Sequence, residues 1–210
     1  MEKAITFRCG DIALEGRLYV GSPESAAVIT HPHPLYGGNM DNAVVHTITR
    51  AYQNRGWSTL RFNFRGSGRS EGRFADGQGE QADVTAAAAY LVAQGVGRIE
   101  LAGYSYGAWV LARRYCESSI QDHPMRFVAP PVAFLDYSAI RDLTTLEHVV
   151  VGARDDFAPR SLVESLIPEW NTRARLDIIE SADHFFSSGM HALQGALEEA
   201  IPAQNAKVCR

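Results

Sequence analysis

Hydrophobic and polar positions along the chain alternate between two periods. Residues 4–8 and 12–20 read as an opening antiparallel strand pair, with Gly10 and Asp11 near the turn. Ala26–Thr30 is a short apolar run that ends at a Pro- and Gly-rich loop, residues 31–38. From about Met40 to Arg55, Val44, Val45, Ile48 and Tyr52 fall at helical spacing, and Gly56 is the expected stop. Trp57–Phe64 is strand-like, and the Gly- and Ser-rich stretch 65–72 is a loop. Residues 79–94 form an Ala-rich helix expected to bury Val84, Ala88, Leu91 and Val92.

The second half repeats the alternation. Arg98–Ala102 is a strand, and Ala108, Leu111, Ala112 and Tyr115 stripe the helix after it. Further strands are expected at 126–129, stopped by Pro130-Pro131, at 147–152 and at 176–180. Pro159 opens a helix carrying Leu162, Val163, Leu166 and Ile167, which is expected to end before Pro168. Met190, Leu193, Leu197 and Ile201 mark a last amphipathic helix. About eight strands, the first pair antiparallel, alternate with helices of ten to sixteen residues. That pattern implies an α/β fold, with right-handed crossovers and a mostly parallel sheet covered on both faces.

Composition narrows the function classes. The 210 residues are 46% hydrophobic, enough for one sizeable core, so a single domain over 1–210 is expected. Net charge is −4, with acids and bases interspersed, and no basic stripe points to nucleic acid. Cys9, Cys116 and Cys209 have no metal-ligand spacing and read as free thiols in a reducing compartment. The longest apolar stretch, Ala86–Ala93, is far too short for a bilayer, and the start of the chain lacks the apolar core of a signal peptide. A cytoplasmic protein without a membrane partner is the default expectation, and either a monomer or a homodimer is compatible with it.

Gly103-Tyr104-Ser105-Tyr106-Gly107 reads G-x-S-x-G between a strand and a helix. At such a bend the serine hydroxyl projects from the sheet as a nucleophile, and glycines are required where a side chain would collide with the neighbouring elements. Alone, the pattern is equally a surface turn. The catalytic reading demands partners, and ligands of such sheets bind at the carboxyl ends of strands. Asp155 follows the 147–152 strand and is a candidate to fix a histidine tautomer; a solvated loop acid or helix cap is the alternative, which suits Asp156 better. His184 follows the 176–180 strand, with Phe185 and Phe186 offering apolar cover, and is the candidate base. Its neighbour Asp183 points elsewhere, since adjacent side chains diverge.

The loop His31–Asn39 follows the Ala26–Thr30 strand. An oxyanion hole needs backbone N–H donors, one from Tyr106 at a helix N-terminus and one from this loop. Pro32 and Pro34 have no N–H, leaving His33 or Leu35. A metal pair at His31 and His33 is disfavoured, because a stable zinc site needs three or four ligands; no metal or cofactor is expected. The order Ser105, Asp155, His184 is that of the hydrolases built on a nucleophile elbow rather than of the two protease arrangements.

With these residues the chain resembles an α/β-hydrolase, and within that superfamily the small, lidless dienelactone-hydrolase-like branch, from about Ala4 to Ile201. The motifs are His31–Asn42, Phe62–Ser70, the elbow, Gly152–Pro159 and Ala182–Phe186. The resemblance implies a Ser105–Asp155–His184 triad. Pro32 stands where many relatives carry glycine, which favours His33 as the oxyanion donor. Dienelactone hydrolases proper use a cysteine nucleophile, which argues against dienelactone as the substrate of a chain with Ser105. Many relatives insert a helical cap before the acid-bearing strand, whereas only Pro130–Leu146 is free here. An open cleft walled by Leu35, Tyr36, Tyr104, Tyr106 and Phe134 is therefore expected, suited to small or exposed esters. The resemblance implies a carboxylesterase; a thioesterase or amidase with the same triad, and a non-catalytic binding module on this fold, are the alternatives.

Overall fold

The computed structural model describes residues 1–117 and 123–204, so Cys209 lies outside the described residues. Eight strands form one sheet: β1 (Lys3–Cys9), β2 (Ile12–Tyr19), β3 (Ser25–Thr30), β4 (Ser58–Phe62), β5 (Arg98–Tyr104), β6 (Met125–Val128), β7 (Leu146–Gly152) and β8 (Arg175–Ile179). Five helices accompany them: α1 (Ala43–Asn54), α2 (Gln78–Ala93), α3 (Tyr106–Glu117), α4 (Arg160–Trp170) and α5 (Met190–Ala200). The spatial order is β1-β2-β4-β3-β5-β6-β7-β8. β1 pairs antiparallel with β2 as expected, but β2 is also antiparallel to β4, so β2 is the strand that opposes both its neighbours. All later pairings are parallel.

From β3 the chain crosses through α1 to β4 on one side, then returns through α2 to β5 on the other. Right-handed crossovers in opposite directions put α1 and α2 on opposite faces, and the chain reverses direction between β3 and β5. Loops leaving the carboxyl ends of these two strands diverge, which opens a crevice. β3 and β4 are buried at every residue, as central strands covered on both faces must be.

Local chemistry sets several boundaries. α1 starts at Ala43, later than its apolar spacing suggests, because Asn42 caps it by accepting the Val44 N–H at 2.8 Å. It stops at Gly56, whose φ of +84° a side chain would resist. α2 buries Val84, Ala87, Ala88 and Leu91, together with Glu80 and Asp83; Val92, expected inside, is exposed. The two acids take the inward positions because they hold loops. Glu80 accepts the N–H groups of Ala75 and Gly77, and Asp83 pairs with Arg65 at 2.7 Å.

α4 does not end before Pro168 but runs through it to Trp170. Pro168 faces solvent, and Trp170 is buried against Phe127 and Tyr137. Burying an indole outweighs one missing hydrogen bond in a last turn. Between β6 and β7, residues 129–145 form turns with no helix, so nothing caps the carboxyl end of the sheet there. Among the described residues, no helix is long and apolar enough to cross a membrane.

Candidate active site

The strands end where the sequence places its candidate site residues. Ser105 lies between β5 and α3 with φ of +54°, a left-handed conformation costly for any residue with a Cβ. The bend is this tight because its flanks are glycines. A Cβ on Gly103 would lie 2.6 Å from the Ala108 nitrogen, and one on Gly107 would lie 2.5 Å from Thr30 Oγ1. Helix and strand therefore approach only because both side chains are missing.

Asp155 follows β7 and His184 follows β8. Their loops are stitched together: Arg154 N–H donates to the Ala182 carbonyl at 2.9 Å, and Ala153 N–H to that of Ile179 at 3.0 Å. Gly152 permits this approach, since a Cβ there would lie 2.3 Å from the Ala182 oxygen. Phe186, two residues past His184, takes a positive φ of +53° and is buried, which turns the chain sharply below the imidazole.

These loops bring three side chains, separated by 79 and 29 positions, into one line. Ser105 Oγ is 2.9 Å from His184 Nε2. His184 Nδ1 lies 2.9 Å from Asp155 Oδ2 and 3.0 Å from Oδ1. With the carboxylate ionised, Nδ1 carries the proton and Nε2 is left to accept from the serine hydroxyl. Asp155 Oδ1 also accepts the N–H groups of Phe157 at 2.8 Å and Ala158 at 2.7 Å, which fix the carboxylate. These amides belong to the turn before α4, whose N-cap is Pro159 with no side-chain cap bond, so Asp155 orders its own loop and caps no helix. Asp183 instead accepts the Ser187 N–H, and Asp156 is exposed.

All three residues are buried, and Ser105 and His184 line a cavity of about 350 Å³. The His184 imidazole packs between Phe157 at 4.7 Å, Phe185 at 5.4 Å and Tyr104 at 5.7 Å between ring centroids. The Tyr104 hydroxyl donates to the His184 carbonyl at 3.1 Å, tying the histidine loop to the elbow strand. Burial raises the phenol pKa of Tyr104 and of Tyr106, so both remain neutral.

The loop after β3 forms the opposite wall. Its single 3₁₀ turn, Pro34–Tyr36, follows His33. Leu35 N–H donates to His33 Nδ1 at 3.2 Å, and the Leu35 side chain is exposed outside the cavity. Leu35 is thereby removed both as an oxyanion donor and as a cleft wall, because a 3₁₀ turn points its amide back at the residue before it. The N–H groups of His33 and Tyr106 have no partner among the described residues, and both residues line the cavity. Tyr106 opens α3, where the helix leaves its first amides unpaired and positive.

Tyr36, Tyr104 and Phe134 line the cavity together with Leu135, Phe157 and Phe185. Phe157 had a signal available, since it sits two residues past Asp155 in the same loop. Leu135 comes from the turns between β6 and β7, where sequence pattern gives no direction.

His31 is buried and fully committed. Nδ1 lies 2.6 Å from the Pro32 carbonyl, and Nε2 accepts the Phe64 N–H at 3.0 Å. Burial pushes its pKa down to about 4, so it is neutral and welds the β3 and β4 exits together. It has no nitrogen to spare for a metal shared with His33. Behind Gly37 and Gly38 lies a wider polar hollow of about 860 Å³, lined in part by Glu15, Arg17, Asn63 and Arg69, which contains none of the three aligned residues.

Comparison with known proteins agrees with the fold. No family model matches the chain. An uncharacterized protein of Rickettsia prowazekii is 31% identical over 185 residues, covering 82% of this chain and 77% of that one. A lidless α/β serine hydrolase of Xanthomonas campestris superposes with a TM-score of 0.85 at 29% identity, covering 97% of both chains. An α/β serine hydrolase homologue from Coxiella burnetii gives 0.84 at 28% identity, over 94% of this chain and 96% of that one. A mixed sheet with β2 reversed, a positive-φ serine between β5 and α3, and no cap among the described residues place the chain in the α/β-hydrolase superfamily, among its lidless serine hydrolase homologues.

Proposed function

We propose that the protein is a carboxylesterase that works through Ser105, His184 and Asp155 by way of an acyl-enzyme. His184 Nε2 takes the Ser105 proton as Oγ attacks the ester carbonyl. The N–H groups of Tyr106 and His33 receive the developing oxyanion. His184 then protonates the leaving alcohol, and a water activated by the same nitrogen hydrolyses the acyl-enzyme. Asp155 holds the Nδ1 tautomer throughout. The observation that supports this reading is the unbroken line from Ser105 Oγ through His184 to Asp155, each step 2.9 Å, at a strained serine beside an open cavity.

The uncapped mouth favours small or exposed esters over substrates that need a lid. A fluorophosphonate probe should label Ser105, and Ser105→Ala should abolish labelling. Short-chain esters, acyl-CoA thioesters and aminoacyl amides, tested side by side, should rank esters first. Absence of labelling would identify a binding module on a hydrolase fold, and faster turnover of thioesters or amides would replace the substrate class.

A further inference from the structure

The mouth of the cavity is built from rings. Tyr36, Phe134, Phe157 and Phe185 all line it, and their residues keep 74%, 51%, 36% and 60% of their surface exposed. They form a continuous arc. Tyr36 and Phe134 centroids are 6.1 Å apart, Phe134 and Phe157 5.7 Å, and Phe157 and Phe185 6.2 Å. Successive rings are nearly perpendicular, at 66°, 71° and 72°. The arc reaches the reacting centre, since Phe157 also stacks on His184 at 4.7 Å.

Such an arrangement is not explained by folding. Exposed aromatic surface of this size loses free energy to water unless something covers it. The four rings come from four separate loops: Tyr36 after β3, Phe134 after β6, Phe157 after β7 and Phe185 after β8. Edge-to-face neighbours leave alternate faces and edges open, the surfaces against which a further aromatic ring packs favourably.

The cavity is also without formal charge. Among the described residues, no lysine, arginine, aspartate or glutamate lines it. Three of its polar side-chain atoms are committed: the Tyr104 hydroxyl to the His184 carbonyl, His33 Nδ1 to Leu35 N–H, and Asn42 Oδ1 to Val44 N–H. Apart from the His33 and Tyr106 amides beside Ser105, its walls offer no opposite charge to offset the desolvation of a carboxylate or an ammonium held among the rings.

Resting on the esterase reading above, we infer that the substrate is an uncharged ester bearing an aromatic ring, which the arc of Tyr36, Phe134, Phe157 and Phe185 holds beside Ser105. The ring belongs to either the acid or the alcohol half, and the two halves are separable by experiment.

Two matched pairs of neutral esters test this. Methyl 3-phenylpropanoate is compared with methyl 3-cyclohexylpropanoate, and 2-phenylethyl acetate with 2-cyclohexylethyl acetate. In each pair two methylenes insulate the ring from the ester, so intrinsic reactivity is matched. The phenyl ester should have a kcat/KM about five-fold or more above its partner in at least one pair, as aromatic packing beyond plain area burial predicts. The pair that shows it identifies the half carrying the ring. Phe134→Leu and Phe157→Leu should bring that ratio towards one, mainly through KM. A para-carboxylate on the phenyl ring should lower kcat/KM by about ten-fold or more, because its charge finds no partner.

A phenyl-to-cyclohexyl ratio of one or less in both pairs overturns the inference, as does an unchanged ratio in both variants or indifference to the carboxylate. If a variant fails to fold, the wild-type ratios and the carboxylate comparison still decide. Fluorophosphonate labelling of Ser105, measured on the same preparations, separates the two levels. Labelled enzyme without ring preference sinks only this inference, whereas unlabelled enzyme sinks the hydrolase reading beneath it.

Discussion

His184 and His148 are both buried, and each lies 2.9 Å from an aspartate carried by the neighbouring strand or its loop. The two pairs are exchanged between the same two strands. At the carboxyl ends, β7 leads to the acid, Asp155, and β8 to the base, His184; within the strands, β7 carries the base, His148, and β8 the acid, Asp177. What differs is the second ring nitrogen. His184 Nε2 meets Ser105 Oγ beside a cavity, whereas His148 Nδ1 is buried with no partner among the described residues. Burial pushes the His148 pKa down to about 4, and the Asp177 pairing does not reverse this. A histidine–aspartate pair is therefore common structural material. It becomes a candidate relay only where a third group and access for a substrate complete it.

The comparison breaks most visibly at Ser105 and His184. Ser105→Ala or His184→Ala should lower kcat on a short-chain ester by about 10⁴-fold to 10⁶-fold, with the far-ultraviolet circular dichroism unchanged. A loss below ten-fold in both would remove any distinction between the two pairs. Asp155→Asn keeps an acceptor for the Phe157 and Ala158 amides but favours the wrong imidazole tautomer, so kcat should fall by about 10³-fold to 10⁴-fold while thermal stability changes little.

The other pair should respond in stability alone. Asp177→Ala leaves both nitrogens of His148 unpartnered, and urea unfolding should show a loss of about 1–3 kcal/mol. Its kcat should stay within about two-fold of wild type, because substitutions without shared partners act independently. The same buried histidine also shapes the pH dependence of stability. His148 and His31 each have a folded pKa near 4 against an ordinary 6.5. Below pH 6.5 the unfolded chain takes up protons that the folded chain refuses. Their contribution is thus complete above pH 6.5 and is lost as pH falls towards 4, at up to about 1.4 kcal/mol per pH unit for each histidine. His148→Leu should remove its own share of the slope, read from urea midpoints between pH 4.5 and 6.5; an unchanged slope would assign the acid sensitivity elsewhere.

Most of the fold was legible because its signals are local. Apolar runs at β3 and β5, helical spacing in α1 and α3, and Gly56 and Pro130 as stops all act within a few residues. Local signals misled where a distant partner decided. Val92 has helical spacing for burial, but Glu80 and Asp83 occupy inward positions of α2 to hold loops 75–77 and Arg65. Pro168 reads as a stop, yet Trp170 is drawn into the core beyond it. Leu35 satisfied every sequence requirement for an amide donor, and the 3₁₀ turn spent that amide on His33.

The sequence by itself determined the elbow. Gly103 and Gly107 on either side of Ser105, with acids and histidines at the ends of later strands, specify a strained serine and an order of partners, because bend sterics and chain order are one-dimensional facts. Tertiary structure alone decided which loop amide remains free, and that four rings from four loops close into one arc. Those outcomes depend on how loops leaving β3, β5, β6, β7 and β8 converge over one end of the sheet. Distances of 3–6 Å between residues dozens of positions apart are fixed by packing and sheet order, which no local pattern encodes.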